Sequence, residues 1–369
     1  MSLSDLMKKN LNENFHLGEI VIQSRVLKKY TGKAQTFTVP AEVEKIGSYA
    51  FHNLKTLKHV IIPEGVLHIR NNAFLSCEGL ETVTLPESLI TIGESAFCQC
   101  RNLKKIIIPG NITEIKKDTF QGCSSLEEII LPSRLDNIGT GAFQGCSHLK
   151  KIQLPEGITE IKEDMFAYCT SLQEFTIPKG VTAVREHAFW KCDALSNIDF
   201  PDSLQHVSMS FIDDNVVRII SYRGIRFFSH LIYESRFGTF YKPVGCSQCL
   251  SLIQNHDIFD ASVPTPEKEA IIFQLFVQNP ADMTICSYLR ENFDKDMHEI
   301  LHTEDFELIR KIIGTPEICQ FLSKENIDEF IFYTIDHKLY EAQVMLMNYK
   351  QQYIGYDSQE EIIRRKFEL

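Results

Sequence analysis

The chain has 369 residues, 44% of them hydrophobic, enough for two or three domains and a sizeable core. It holds 38 Lys and Arg against 49 Asp and Glu, a net charge of −11, which argues against general nucleic-acid binding. No apolar run approaches the length of a membrane span, so membrane insertion is not expected either.

The N-terminal stretch MSLSDLMKKNLNENFHLGEIVI lacks a long apolar core ending in small residues, so it does not read as a signal peptide. A cytoplasmic location is the expectation; a signal trimmed from upstream of Met1 would instead make the protein secreted or a cell-surface one. Residues 1–36 are expected to form an N-terminal cap. From residue 37 to 207 the chain repeats itself every 23 residues. Proline keeps the beat at Pro40, Pro63, Pro86, Pro109, Pro132, Pro155, Pro178 and Pro201. Phenylalanine keeps it from Phe51 to Phe189, cysteine from Cys77 to Cys192 and leucine from Leu57 to Leu195. A fixed apolar pattern at such a period means one coil per repeat, because a single coil cannot bury its own apolar side and a stack of coils can.

The segment before each proline, such as Ile129-Ile130-Leu131, is short and rich in β-branched residues, and reads as a parallel strand. Proline has no N–H for the ladder and ends it. A second extended stretch comes next, as in Ile112 to Ile115, then a turn through the Phe–Cys–Leu segment. Successive rungs should advance by about 4.8 Å. The pattern C-x-x-L-x-x-I-x-L-P, complete at Cys123, Leu126, Ile129, Leu131 and Pro132 and continued by Leu135 and Ile138, resembles the bacterial BspA-like leucine-rich repeats. Arg25 to Lys33 resembles the edge strand that opens such arrays. The resemblance implies binding rather than catalysis, in adhesion or recognition. The eighth repeat departs from the pattern, with Phe211 where the phase places phenylalanine at 212 and no cysteine, as a terminal cap should.

Six cysteines in one column invite a metal or disulfide reading. The same slot holds Leu54 in the first repeat, and free cysteine is often fully buried, so the column is expected to be structural packing. Cys98 lies off the column and is expected to be exposed. Alternation along each strand sends one set of side chains outward. His59, Ile61, Thr84, Lys105, Ile107, Glu128, Ile130, Lys151, Gln153, Glu174 and Thr176 are the candidate partner-binding residues. Ile61, Ile107 and Ile130 are apolar at solvent-facing positions beside charges, as in a protein-binding patch. Trp190, the single tryptophan, shares its column with His52, Leu75, Cys98, Gln121, Gln144 and Ala167; such mixed company suggests partial exposure, as either a second contact point or a cover over the array's end.

After Val207 the beat is lost. Residues 208–262 should form a β-rich cap, with Val216 to Pro243 β-rich and aromatic. Cys246 and Cys249 form a C-x-x-C without a second pair, which falls short of a four-ligand zinc site. Ser262 to Ala270 reads as a linker ending in a proline-started helix. Residues 263–369 take a helical period, and Ile300 to Ile313 and Phe332 to Leu346 look like helix–turn–helix copies some 33 residues apart, similar to degenerate ankyrin repeats. The final segment from Gly355 reads as a last helix or a frayed tail. Residues 209–369 hold 16 Lys and Arg against 25 Asp and Glu, so −9 of the charge lies there.

One motif points elsewhere. His298, Glu299 and His302 match H-E-x-x-H, which on a helix could place two imidazoles on zinc with the glutamate as general base. Here the match falls at the end of a helix before a T-E-D turn, and no third ligand stands at the metzincin spacing. No phosphate-binding glycine motif and no G-x-S-x-G occurs, so no cofactor is expected. The expected fold class is α+β: a leucine-rich-repeat β-solenoid of about eight 23-residue rungs with β caps, then a small all-α, ankyrin-like helical domain. The expected function is a non-enzymatic protein–protein interaction scaffold, using the outward strand surface and a second, acidic helical surface. The rivals are a zinc metallohydrolase using His298 and His302, and a secreted adhesin or carbohydrate binder.

Overall fold

The computed structural model describes residues 15–17, 19–208, 210–212, 219–228, 230–235, 238–243, 249, 253 and 265–355. The chain divides into two compact units, Met1–Arg223 with Phe228–Ser247, and Gly224–Phe227 with Gln248–Leu369.

The first unit is the repeat array. Each coil opens with a short strand, and eight of these run from Thr36–Thr38 to Asn197–Phe200. They pair in parallel at a step of 23, as in Lys105↔Glu128, Ile106↔Ile129 and Ile107↔Ile130. The proline after the strand then makes a tight turn: its carbonyl accepts from the N–H three residues on, as in Ile112 to Pro109 at 3.1 Å and Leu135 to Pro132 at 3.2 Å. That turn throws the branched residue at the third position into the core, where Ile112 and Leu135 are buried. A second strand comes next, such as Glu114–Ile115 or Asn137–Ile138, again in register with its neighbour. The coil closes through the phenylalanine turn.

That turn is the most regular part of the array. The rings of Phe51 to Phe189 are fully buried and stacked, with consecutive centroids 4.6 to 5.9 Å apart and planes within 12°. Each phenylalanine N–H donates one coil onward: Phe74 to Ala96 O at 2.8 Å, Phe97 to Thr119 O at 2.9 Å, Phe120 to Ala142 O at 2.9 Å. The cysteine column completes the corner. Cys77 Sγ donates to Phe51 O at 2.8 Å, Cys100 to Phe74 O at 3.2 Å, Cys123 to Phe97 O at 3.1 Å, and Cys146, Cys169 and Cys192 do the same with Phe120, Phe143 and Phe166. The slot thus selects a small side chain with a donor, which is more than the plain packing expected. Cys98 is buried, not exposed, with its thiol 3.4 Å from Gln121 Oε1.

Two columns have a backbone requirement that the residue types conceal. Tyr49, Asn72, Ser95, Asp118, Gly141, Asp164 and His187 all have positive φ, between 51° and 63°. Asn53, Ser76, Gln99, Gly122, Gly145, Tyr168 and Lys191 form a second such column. Only three of these fourteen are glycine; the others hold the left-handed conformation at a cost of about 1–2 kcal/mol each, which stacking must offset.

The eighth repeat stays in phase. Phe189 N–H donates to Phe211 O at 2.8 Å, and Phe189 bridges Ile212. Phe211 therefore occupies the column of Ala73, Ala96 and Ala142, and Ile212 takes the phenylalanine place; the exchange is one of residue type, not of register. Nor is Arg25–Lys33 the edge of the array. Val26–Tyr30 pairs in parallel with Lys45–Ile46 and antiparallel with Ile20–Gln23, which pairs in turn with Phe15–Leu17. At the other end Ile219–Tyr222 adds one more parallel rung to Asn197–Phe200, at a step of 22. The expected β-rich cap also contains the hairpin His230–Ser235 and Gly238–Pro243.

The strand ladder is not continuous. The strands from Thr36–Thr38 to Glu128–Ile130 form one five-stranded sheet, and Lys151–Ile152 with Glu174–Phe175 form a separate pair. The second strands also divide after Asn137–Ile138. On the phenylalanine side bonding crosses the same step, with Phe143 N–H to Met165 O at 3.1 Å and Gly145 N–H to Ala167 O at 2.7 Å. Strand pairing is thus interrupted on both strand sides there while the turn side stays hydrogen-bonded; the second strands are also interrupted between Thr91–Ile92 and Glu114–Ile115.

The second unit is helical: α1 (Thr265–Gln278), α2 (Met283–His302), α3 (Phe306–Gly314), α4 (Lys324–Asp336) and α5 (Tyr340–Tyr349). Pro266 stands in the first turn of α1, as expected. Asp282 caps α2, Asp305 caps α3, and Ser323 and Asn326 form a capping box on α4. Helices α1, α3 and α5 pack in one row, and α2 and α4 in another. The turns after α2 and α4 match, with Glu304 and Lys338 at φ 56° and 59°, so the copies stand 34 residues apart. Cys246, residues 262–264 of the linker and the tail from Tyr356 lie outside the described residues.

Two fully buried carboxyls face each other in this unit, Glu269 on α1 and Asp296 on α2. Among the described residues no well-formed hydrogen bond closes on their four oxygens, although each carboxyl lies beside the other and Tyr288 lies beside Asp296, and Lys295 Nζ stands 3.8 Å from Glu269. Burial, then the Asp296 charge, pushes the Glu269 carboxyl up to about 8, and burial raises Asp296 too. Lys268 and Glu299 complete the charged surroundings.

Three outcomes are expected. Phe120→Ala removes one ring from a gap-free stack and should cost about 3–5 kcal/mol, read as a lower melting temperature; an unchanged melting curve would contradict the stacking role. Burial pushes Cys77 up to about 12 and raises Cys123 and Cys146 as well. Iodoacetamide should therefore label exposed Cys319 in the native protein and reach the six column thiols only after denaturation, as peptide mass spectrometry would read. Glu269 keeps its proton in the folded state to a higher pH than in the unfolded chain, where a carboxyl titrates near ~4.3. Folding then binds a proton across that interval, so stability of the helical unit falls as pH rises from about 4.5 towards 8 and levels above it. Thermal melts by circular dichroism should show this slope, and Glu269→Gln should reduce it.

Candidate functional site

Alternation along the first strands decides which side chains reach solvent. Ile106 and Ile129 are buried, while Lys105, Ile107, Glu128 and Ile130 are exposed. Stacking at constant register converts the outward positions into two columns. One runs Ile61, Thr84, Ile107, Ile130, Gln153, Thr176; Ile61, Ile107 and Ile130 are 43%, 53% and 43% exposed. The other runs His59, Thr82, Lys105, Glu128, Lys151, Glu174. Within it His59 Nδ1 and Thr82 Oγ1 lie 2.9 Å apart, and Lys105 Nζ pairs with Glu128 Oε2 at 2.8 Å. An aliphatic column thus stands beside one of alternating charge. His59 is half-buried; the rest of the named set is exposed.

At the break in the ladder this face deepens. Glu128, Ile130, Lys151, Gln153, Glu174 and Thr176 line one open groove of about 540 Å³, with Ile129, Ile152 and Leu154 also reaching it. Six of the sequence-selected residues therefore meet in a single depression, with Ile61, Thr84, Lys105 and Ile107 on the sheet before it. Glu127, Glu156 and Pro178 line it as well, and strand alternation did not single them out. Their signal in the sequence is slight: Phe175, like Phe37, stands where the column otherwise holds isoleucine or valine, and its ring lies edge-on to Phe166 and Phe189, 5.0 Å from each. The strands beside the groove shorten to two residues. Trp190 is not brought to this face. It is half-buried on the turn side, edge-on to His187 at 5.1 Å, with Lys191 Nζ 6.0 Å from its ring.

The H-E-x-x-H match falls where the turn was expected, since α2 ends at His302. The His298 ring packs against Phe330 and Tyr333 at 5.0 and 4.9 Å, and its Nδ1 lies 2.7 Å from Asp294 O. His302 Nδ1 lies 3.4 Å from the Tyr333 hydroxyl. These imidazoles join one helix pair to the next. Among the described residues no group of three or more His, Cys, Asp or Glu converges as metal ligands would. No helix among them is long and apolar enough to cross a membrane.

Residues 21–146 and 91–218, together more than half of the chain, match the model of the BspA type leucine rich repeat region, in six copies. Among solved structures, the chain is similar to a leucine-rich-repeat protein of T. pallidum, at 30% identity and a TM-score of 0.44, over 46% of this chain and 82% of that one. A leucine-rich-repeat protein from Bacteroides ovatus is 26% identical with a TM-score of 0.45, over 55% of this chain and 63% of that one. A leucine rich cell surface protein from Faecalibacterium prausnitzii is 21% identical with a TM-score of 0.34, over 57% and 95%. No curated protein matches the chain.

Proposed function

The chain belongs to the BspA-type leucine-rich-repeat family, whose members are interaction or surface scaffolds, and we propose that it is a non-enzymatic scaffold that binds a protein partner on its outward strand face. The observation that carries this reading is the exposed column of Ile61, Ile107 and Ile130 beside the Lys105–Glu128 pair, leading into the groove at Glu128 to Thr176. Apolar area with a charged rim is what a partner surface needs, and a backbone already fixed by stacking loses little ordering entropy on binding. The acidic helical unit supplies a second contact surface. The thiols of the cysteine column act as S–H donors, a role that requires them reduced and favours a cytoplasmic setting.

The test is a capture experiment. The immobilised protein is exposed to cell lysate, alongside an Ile107→Glu, Ile130→Glu double variant that has passed a folding check, and bound proteins are identified by mass spectrometry. The expected result is a protein retained by the parent and lost by the variant. Equal retention by both would place binding off the strand face and overturn the reading.

A further inference from the structure

The last described helix pair presents an apolar face. The last helix pair exposes Phe332 and Ile335 on α4 and Tyr340, Val344 and Met347 on α5, with Phe332 65% and Val344 56% exposed. The 34-residue step shows what these positions are for. Ile335 corresponds to Leu301 and Met347 to Ile313, and in the preceding pair both of those are buried. Phe332 corresponds to His298, whose ring packs on Phe330 and Tyr333 of the next pair. That same junction carries polar bonds between pairs, Asn326 Nδ2 to Asp294 Oδ1 at 2.8 Å and Arg310 to Glu341 at 2.7 Å. The equivalent face of α4–α5 is thus built to receive helices. A terminal repeat that met only water would be polar there.

The rim of this face is acidic. Glu329 and Asp336 are exposed on α4 beside it, while Asp328 and Glu341 are taken up by Lys350 and Arg310. We infer that this face is a docking site for an amphipathic helix of a protein partner, one with an apolar stripe and basic residues flanking it. Apolar side chains at i, i+3, i+4 and i+7 would lie between Phe332–Ile335 and Tyr340–Val344–Met347, as in other helix-in-groove contacts, and Lys or Arg on the flank would meet Glu329 and Asp336. This inference rests on the reading of the helical unit as a second contact surface and names the partner chemistry that reading leaves open.

The test uses the full chain and synthetic 18-residue helices. The first has leucine at i, i+3, i+4 and i+7 with lysine elsewhere, the second replaces lysine by glutamate, and the third keeps lysine but replaces leucine by serine. Binding is read by fluorescence anisotropy at low and moderate salt. The Leu/Lys helix should bind at least tenfold more tightly than either control, weaken with salt, and lose at least tenfold in a folded Ile335→Glu, Val344→Glu variant. Equal binding of the Leu/Lys and Leu/Glu helices, with both lost in that variant, would leave the face as a contact surface and overturn the basic partner. If no helix binds, two measurements identify what covers the face instead, and either overturns the inference. A dimer that becomes a monomer in Ile335→Glu, Val344→Glu, read by light scattering, identifies a second copy. Binding that appears only in a full-length Ile362→Glu, Phe367→Glu variant identifies the chain's own residues 356–369. No helix bound, no change in mass and no gain in that variant would overturn the second contact surface as well.

Discussion

The array depends on the corner at each phenylalanine. There the backbone N–H donates to the next coil, the carbonyl accepts both from its own turn and from a thiol one coil on, and the ring lies flat between its neighbours' rings. Phe97 shows all of this at once: its N–H reaches Thr119, its carbonyl receives Cys100 N–H and Cys123 Sγ, and its ring lies between Phe74 and Phe120. An isolated coil could satisfy almost none of these groups. Stability is therefore a sum over neighbouring coils, and the strained left-handed residues Tyr49 to Lys191 are tolerable only because stacking holds them in place. The same dependence frees the outside. Nothing at the corner constrains Ile107 or Glu128, which face solvent from the opposite end of the strand's alternation.

This explains which parts of the fold could be read from the sequence. Columns that fill volume are legible, because burial restricts residue type: phenylalanine, leucine, proline and the β-branched strand positions all recur at 23 residues. Columns that answer to backbone geometry are not. The positive-φ positions accept Tyr, Asn, Ser, Asp, Gly or His, so residue type conceals a requirement that φ makes uniform. The thiol column was visible but its purpose was not, since a small buried residue and a buried donor look alike in letters. Phe211 misled for a related reason. One phenylalanine displaced by one position suggests a slip, whereas the hydrogen bond from Phe189 shows the register intact.

The candidate site was legible to the same degree. Strand alternation placed Ile61, Ile107 and Ile130 outward, and they are outward. It could not show that the ladder parts after Glu128–Ile130, because parting is a property of two adjacent coils, not of any one repeat. Hence six of the chosen residues gather in a groove that no single repeat implies, and Trp190, chosen by its mixed column, lies apart from them.

Both units obey one rule, and they differ in how it is met. A stacked module must do something with the face its next copy would have covered. The β array meets this at its start by folding Ile20–Gln23 and Phe15–Leu17 back as antiparallel strands, so that Val26–Tyr30 is no longer an edge. The last described helix pair differs: Ile335 and Met347 stand exposed where Leu301 and Ile313 are buried. A repeat protein's chemistry is uniform wherever its period holds, so its individuality must lie where the period fails. In this chain those places are the parted ladder at Glu128 to Thr176 and the uncovered pair α4–α5, and each presents apolar surface with charge at its margin.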